Sequence, residues 1–284
     1  GGTIIESSSG NFGIGLAMVG AALGYPVIIV VDPKTPPPLR RMLSAYGAQL
    51  VDVPASEADA FGSLQGARMK KAEALARDIP GGWYVCQHLN AANPDAHAEY
   101  TAREIDEAFD HPPDMIVVGI STAGQVAGLT RYFAKRHPAV KFVAVDVEGS
   151  AILGTPRHPY KMTGLGLCFA PPVFDPAALA AAYSVSDQIA FSMCHLLARS
   201  EGLLLGASTG AIVAAGLACA GASDVPKKIL MINPDRGDRY LETVYNPDWL
   251  EAQDIELLEG ADLTAAVANL KPVPRDILLR AQAV

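Results

Sequence analysis

The sequence contains no run of lysine and arginine, and its 30 acidic residues outnumber its 22 basic ones, for a formal net charge of −8. A protein that binds along a nucleic acid needs clustered cations to neutralise the phosphates, so this class of function is disfavoured. No apolar stretch reaches the roughly 20 residues that cross a bilayer. We therefore expect no nucleic-acid and no membrane partner, and a small molecule is the default substrate.

Cysteine is scarce, and none of Cys86, Cys168, Cys194 and Cys219 forms a C-x-x-C pair. This spacing argues against a structural zinc site and gives no sign of a disulfide framework. We predict no metal and a cytoplasmic location. The sequence also lacks an initial methionine and opens directly on an apolar strand and a glycine loop. We expect its natural beginning, and with it any targeting signal, to be missing.

Strand-like apolar runs alternate with helix-like stretches along a chain that is 50% hydrophobic. Uninterrupted Val/Ile runs suit strands covered on both faces, so the pattern predicts an α/β fold with parallel sheets flanked by helices. The predicted strands are 3–5, 27–31, 49–53, 83–86, 115–120, 141–145, 203–205 and 228–232. The predicted helices are 13–23, 38–46, 60–77, 95–109, 126–135, 187–200 and 208–220. Residues 148–173 lose this period and read as a loop. Amides and a proline at 90–94 predict a boundary between domains 1–93 and 94–284.

A loop of small polar residues follows the first predicted strand and opens a helix, with the sequence ESSSGNFGIGLA at 6–17. Serine hydroxyls and free N–H groups at a helix start favour an anion, because the helix dipole adds positive potential there. A carboxylate or a phosphate would bind. The alternative is that a serine only caps the helix while the glycines allow close packing. The spacing leaves both interpretations open.

Two further loops between a predicted strand and a helix are STAGQ at 121–125 and GASTG at 206–210. Small residues let the backbone approach a ligand, and hydroxyls add donors, so the loop at 121–125 could hold a phosphate. An ordinary turn is the alternative. In the loop at 206–210, Ser208 could simply cap a helix. Taken singly, neither loop identifies a ligand.

Taken in order, these loops resemble those of the cysteine synthase family, pyridoxal 5′-phosphate (PLP) enzymes of fold type II. The segments that match are 8–17 (asparagine loop), 87–94 (glutamine at a strand end), 121–125 (phosphate loop), 161–166 (substrate loop), 201–210 (serine loop) and 234–240 (closing motif). The resemblance implies two open, mainly parallel sheets flanked by helices. It also implies a PLP cofactor, amino-acid substrates, a homodimer and replacement of the β-substituent of a serine-derived amino acid.

Within this family the chain is most similar to siderophore-pathway enzymes that join O-phospho-L-serine to L-glutamate on the route to 2,3-diaminopropionate. Ser121-Thr122 stands in place of Gly-Thr, Gln125 in place of Thr, and residues 235–251 also match. The residues that the resemblance assigns to the cofactor are Asn11, Ser121, Thr122, Ala123, Gly124, Gln125 and Ser208. Those assigned to the substrate are Ser8, Ser9, Gly10, Phe12, Arg68, Gln87, His88 and Gly164.

A phosphate leaving group requires a cation near the β-carbon of the substrate, and a guanidinium suits phosphate better than an ammonium does. Arg68 is the candidate, although an arginine on a helix more commonly lies on a solvated face. His88 could point into the same cleft as Gln87 or simply cap a strand end. The sequence leaves both questions open.

The Schiff-base lysine of the family lies upstream of the asparagine loop, so we expect it upstream of Gly1. Lys34, Lys70, Lys71 and Lys161 do not occupy its position. We therefore expect that the chain as given does not turn over substrate by itself. Two alternatives remain open: a cysteine synthase that uses sulfide with O-acetylserine or O-phosphoserine, and a non-catalytic relative that binds PLP or a partner. A Rossmann dinucleotide site is disfavoured, because the glycines at 13 and 15 lack a third.

Overall fold

The computed structural model describes residues 1–222 and 227–281. The chain forms two compact units, Gly1–Asn90 and Ala91–Val284. Each unit contains a four-stranded sheet in which every pair of neighbouring strands is parallel. The prediction of an α/β fold with two parallel sheets flanked by helices is confirmed. Within the described ranges, no helix is long and apolar enough to cross a bilayer.

The sheet of the first unit has the strand order β3-β2-β1-β4. Its elements are β1 (Thr3–Ser7), α1 (Asn11–Leu23), β2 (Val27–Val31), α2 (Pro37–Ala45), β3 (Gln49–Asp52), α3 (Gln65–Asp78) and β4 (Gly82–Tyr84). Successive side chains of a strand point to opposite faces. In β2, Val27, Ile29 and Val31 pack against α1 and α2, and Ile28 and Val30 pack on the face that α3 covers. Both faces are buried, which is why the strand is aliphatic throughout.

The sheet of the second unit has the order β7-β6-β5-β8. Its strands are β5 (Met115–Gly119), β6 (Lys141–Val147), β7 (Ala181–Val185) and β8 (Ile229–Met231). Its helices are α4 (Ala92–Ala96), α5 (Ala102–Glu107), α6 (Gly124–Arg136), α7 (Asp187–Glu201), α8 (Ala207–Gly221), α9 (Pro247–Ala252), α10 (Gly260–Ala268) and α11 (Arg275–Arg280), with a π turn at His97–Thr101 between α4 and α5. In β5, Ile116 and Val118 pack with Phe133 of α6, whereas Val117 packs with Ile212 of α8. Residues 148–173 contain neither helix nor strand, as predicted.

Two strand predictions were wrong. Residues 203–205 form no strand; Leu205 makes only an isolated antiparallel bridge to Arg236. Gly202 ends α7 in the left-handed conformation and α8 begins at Ala207, so this segment only connects the two helices. Strand β7 was missed because two of its five residues are alanine, which has low strand propensity. The strand forms because it pairs with β6 in the parallel sheet.

The helix predicted from residue 60 begins only at Gln65. The Asp59 carboxylate accepts hydrogen bonds from the N–H groups of Phe61 and Ser63, both at 2.9 Å. Gly62, with φ of +75°, completes this turn. A short carboxylate side chain competes here with the helix for the backbone N–H groups, which delays the start of α3.

Candidate functional site

The asparagine loop connects β1 to α1 in the first unit. Ser8 Oγ accepts hydrogen bonds from the N–H groups of Gly13 at 3.0 Å and of Gly10 at 3.3 Å. Ser8 is buried, Ser9 and Gly10 are half-buried, and Asn11 and Phe12 lie exposed at the start of α1. Ser8 therefore caps an N–H group of the first turn, although Gly10 is the cap residue of the helix. The N–H groups at the start of α1 still have no carbonyl one turn earlier, so the capping does not remove the positive end of the helix.

A buried carboxylate joins this loop to the segment after β4. Glu6 is 0% exposed. Its Oε1 accepts the N–H of Ser7 at 2.6 Å and its Oε2 accepts the N–H of Gln87 at 3.1 Å. The Gln87 amide in turn donates to the Ser7 carbonyl at 3.2 Å. Burial raises the pKa of Glu6 to about 7, although these N–H groups and the positive charge of Arg68 lower it.

Arg68 supplies the positive charge of the same region. Its Nε lies 3.1 Å from Asp32 Oδ2, and the two side chains are 11% and 6% exposed. The interpretation of Arg68 as a solvated face residue is therefore wrong. His88 is 3% exposed. Burial, and then the nearby Arg68 guanidinium, lower the pKa of His88 to about 4, so it is neutral at pH 7. The first unit thus places Arg68 and His88 close to the Glu6–Gln87 link.

The phosphate loop connects β5 to α6 in the second unit. Ala123 adopts the left-handed conformation with φ of +61°, which is strained for a residue other than glycine. Asn93 Nδ2 donates to Thr122 Oγ1 at 2.9 Å, and a Cβ on Gly124 would collide with the Asn93 amide. The Asn93 side chain therefore supports the loop. The loop is followed directly by the N-terminal N–H groups of α6. Such a backbone arrangement suits an anion.

Ser208 lies in the first turn of α8, and Gly206 is the cap residue of that helix. The interpretation of Ser208 as a simple cap is therefore wrong. The residue is 1% exposed. Gly164 has φ of +93°, and a Cβ there would lie 3.5 Å from Ser208 Oγ. A serine hydroxyl at this place can donate a hydrogen bond to a ligand atom or accept one from it.

The second unit also links the phosphate loop to the substrate loop, because Ser121 Oγ donates to the Gly166 carbonyl at 3.4 Å. These features fit PLP: the α6 N-terminus, with the half-buried Gln125 in its first turn, suits the phosphate, and the hydroxyl of Ser208 suits the ring nitrogen. In the first unit, Asn11 is the residue expected to bind the ring oxygen. The individual roles of these residues remain predictions.

Three supporting side chains were not among the predicted site residues. Glu6 and Asn93 support the loops described above. Asp187, the first residue of α7, accepts the N–H groups of Lys161 at 2.6 Å and Met162 at 2.9 Å, and so fixes the substrate loop. Glu6 left a signal in the sequence, namely a charged residue at the end of an aliphatic strand, and Asn93 lies in the matched segment 87–94. Their supporting contacts, like those of Asp187, join residues distant in the chain.

Comparisons with known proteins agree with this geometry. A family model described as pyridoxal-phosphate dependent enzyme matches residues 1–235. The chain is 35% identical over 267 residues to N-(2-amino-2-carboxyethyl)-L-glutamate synthase of Ralstonia nicotianae, covering 94% of this chain and 78% of that protein.

Two crystal structures are similar to the whole fold. O-acetylserine sulfhydrylase isoform 3 from Entamoeba histolytica superposes with a TM-score of 0.81 at 32% identity, covering 98% of this chain and 77% of that one. O-acetylserine-dependent cystathionine β-synthase from Helicobacter pylori superposes with a TM-score of 0.79 at 34% identity, covering 86% and 78%. The chain therefore belongs to the family of pyridoxal-phosphate dependent enzymes, as a β-replacement synthase of the cysteine synthase type.

Proposed function

We propose that this protein joins O-phospho-L-serine to L-glutamate, giving N-(2-amino-2-carboxyethyl)-L-glutamate and inorganic phosphate on the route to 2,3-diaminopropionate for a siderophore. The bond between the β-carbon and the phosphate oxygen breaks, and the glutamate nitrogen forms a bond to that carbon. The amine loses one proton to solvent. The similarity to the Ralstonia nicotianae synthase of this product supports the proposal.

The burial of Arg68 is the observation that supports phosphate as the leaving group. A guanidinium that is 11% exposed and held 3.1 Å from Asp32 is oriented, unlike one on a solvated helix face. Its planar fork matches phosphate oxygens. His88 is neutral, so it adds no second positive charge to the region. An acetate leaving group needs no such cation.

Residues of each unit have their own roles in this proposal. When bound, PLP supplies the electron sink for loss of the α-proton and of the β-substituent. The phosphate loop and the α6 N-terminus hold the cofactor phosphate. Ser208 offers the ring nitrogen a hydroxyl, which does not protonate it as a carboxylic acid would, and this favours elimination and replacement over transamination. Ser8, Ser9 and Gln87 orient the substrate carboxylate.

Product analysis tests the proposal, using the protein produced together with any residues that precede Gly1. The PLP-loaded protein is given O-phospho-L-serine with L-glutamate and sulfide in equal amounts, and the products are identified by mass spectrometry. We expect the glutamate conjugate and inorganic phosphate to dominate. Cysteine as the main product, with no conjugate, would instead identify a cysteine synthase, and a parallel reaction with O-acetyl-L-serine would identify its leaving group.

Replacing Arg68 by lysine is expected to lower kcat/KM for O-phospho-L-serine about tenfold more than for O-acetyl-L-serine, equivalent to about 1.4 kcal/mol. Lysine keeps the positive charge beside Asp32 but loses the planar fork. Steady-state kinetics with both substrates measure the difference. The matched control is Arg199→Lys, since Arg199 pairs with Glu259 at the surface. Equal losses for both substrates would rule out a role in reading the leaving group.

Assembly as a homodimer, a cytoplasmic location and a division into domains 1–93 and 94–284 remain our predictions. Light scattering of the PLP-loaded protein after size-exclusion chromatography measures the first of these. A mass equal to one chain would contradict it.

A further inference from the structure

We propose that Glu6 is a positioning residue that aligns the asparagine loop with Gln87 and thereby sets the affinity for amino-acid substrates. The inference rests on the proposed function, in which Ser8, Ser9 and Gln87 hold the substrate carboxylate. It adds a residue that touches neither substrate nor cofactor in that scheme. Glu6 acts through the two segments that do.

The geometry shows why a side chain is needed at this place. The parallel ladder between β1 and β4 has its last pair at Ile5 and Tyr84. Beyond it, Cys86 adopts φ of +52°, a conformation that does not continue a strand. Both Glu6 oxygens then accept backbone N–H groups, at 2.6 Å from Ser7 and 3.1 Å from Gln87. The carboxylate thus connects β1 to the segment after β4, beyond the last backbone pair of the ladder.

The strength of this link depends on the charge of Glu6. The titratable groups that act on the carboxylate or border it are Arg68, Tyr84 and Cys86. Burial raises the pKa of Glu6 to about 7. The ionised carboxylate accepts with both oxygens, whereas the protonated form turns one oxygen into a donor that faces an N–H group. The link therefore weakens as the pH falls through the neutral range.

Glu6→Gln preserves the shape but places an NH₂ group against one of the two N–H groups. KM for O-phospho-L-serine and for O-acetyl-L-serine is expected to rise about tenfold, to the same extent, the size of one lost hydrogen bond at a buried site. We expect kcat to change less than about twofold, as when binding common to ground and transition states is removed. KM of the unmodified protein should rise as the pH falls through about 7, while KM of the variant stays flat.

Two measurements separate alignment from a general loss of structure. Hydrogen exchange followed by mass spectrometry should quicken in peptides spanning residues 5–9 and 85–89 of Glu6→Gln and not in β6, and the absorbance of bound PLP should be unchanged. Glu6→Asp keeps the charge but is too short to reach both N–H groups, so it should retain the pH dependence with an intermediate KM. It also serves if Glu6→Gln does not fold. Asp52→Asn, at the exposed end of β3, is the matched control and should leave KM unchanged.

An unchanged KM in Glu6→Gln, or a KM that keeps the pH dependence of the unmodified protein, would overturn the proposal. So would faster exchange accompanied by an equal fall in kcat for both substrates, because that outcome describes a purely structural residue. Failure of the proposed function is a separate result. If the protein made cysteine and no glutamate conjugate, the effect of Glu6→Gln on KM would still hold for every serine-derived substrate.

Discussion

Replacing Asp146 by asparagine is expected to stabilise the protein at pH 8, to destabilise it to a similar extent near pH 3, and to flatten the dependence of stability on pH in between. Asp146 lies in β6 and is 1% exposed. Its Oδ1 accepts the N–H of Val147 at 2.8 Å, a bond that an asparagine oxygen also makes. Burial raises the pKa of Asp146 from 3.8 to about 7, against the lowering effect of the nearby Ser150 hydroxyl.

The direction of this pH dependence follows from the number of protons that the folded and unfolded states bind. Between about pH 4 and pH 7 the folded protein keeps the Asp146 proton and the unfolded chain has released it. The free energy of unfolding therefore falls as the pH rises through this window. The full cost of the buried charge above pH 7 is about 4 kcal/mol. We expect asparagine to recover about half of it, because a buried amide has its own desolvation cost.

Thermal unfolding of the two proteins from pH 3 to pH 8 measures the effect, and a gain of about 2 kcal/mol corresponds to several degrees in Tm. Asp52→Asn is the control. It should change stability in the opposite direction at pH 8, because the Arg40 guanidinium lowers the pKa of that exposed carboxyl. Superimposable curves for Asp146→Asn and the unmodified protein would show that Asp146 carries no buried charge at pH 8. Glu6 adds a dependence in the same direction, which both proteins share.

Replacing Gly128 by alanine is expected to destabilise the second unit by about 3 kcal/mol, at the upper end for an overpacked contact. A Cβ at this position of α6 would strike the Pro94 carbonyl oxygen and lie 2.7 Å from both the Ala98 nitrogen and the His97 Cβ. Two of these atoms belong to the backbone of the facing helices and cannot rotate away. The helices must move apart.

The movement of these helices should also displace the phosphate loop. Gly128 lies one turn after Gly124, and Asn93, which supports Thr122, directly precedes Pro94. We expect the affinity for PLP to fall about tenfold, equivalent to about 1.4 kcal/mol. Calorimetry and a titration of PLP absorbance measure the two effects. Gly66→Ala is the control, because nothing lies within 4 Å of a Cβ there. Equal stabilities of the two variants would contradict the packing argument.

The loops of the site could be located from the sequence because their chemistry is local. Glycine and hydroxyl residues directly after an aliphatic run mark the end of a parallel strand, and ligands of such sheets bind there. Ser8 shows the limit of this reasoning: the sequence left capping and anion binding open, and the structure shows the capping bonds. For Ser208 the local pattern was misleading, because the residue lies two positions after Gly206, the cap residue of α8.

Burial of charged groups was beyond the reach of sequence patterns. Arg68 lies on a helix in which half of the residues are polar, and such an arginine is usually solvated. Its burial follows from the ion pair with Asp32, which lies just after β2. The unusual pKa values of Glu6 and Asp146 likewise arise from desolvation by the assembled sheets. No nearby residue in the sequence predicts them.

By itself the sequence determined the fold class and the family, since alternating aliphatic and amphipathic segments specify covered parallel strands and the ordered loops follow them. Only the tertiary structure decided which side chains hold those loops in place. The Glu6–Gln87 bond joins residues 81 positions apart, and the Asn93–Thr122 bond spans 29. Such contacts form when strands that are distant in sequence become neighbours, so their energies and the protonation of buried carboxylates depend on the packed sheet.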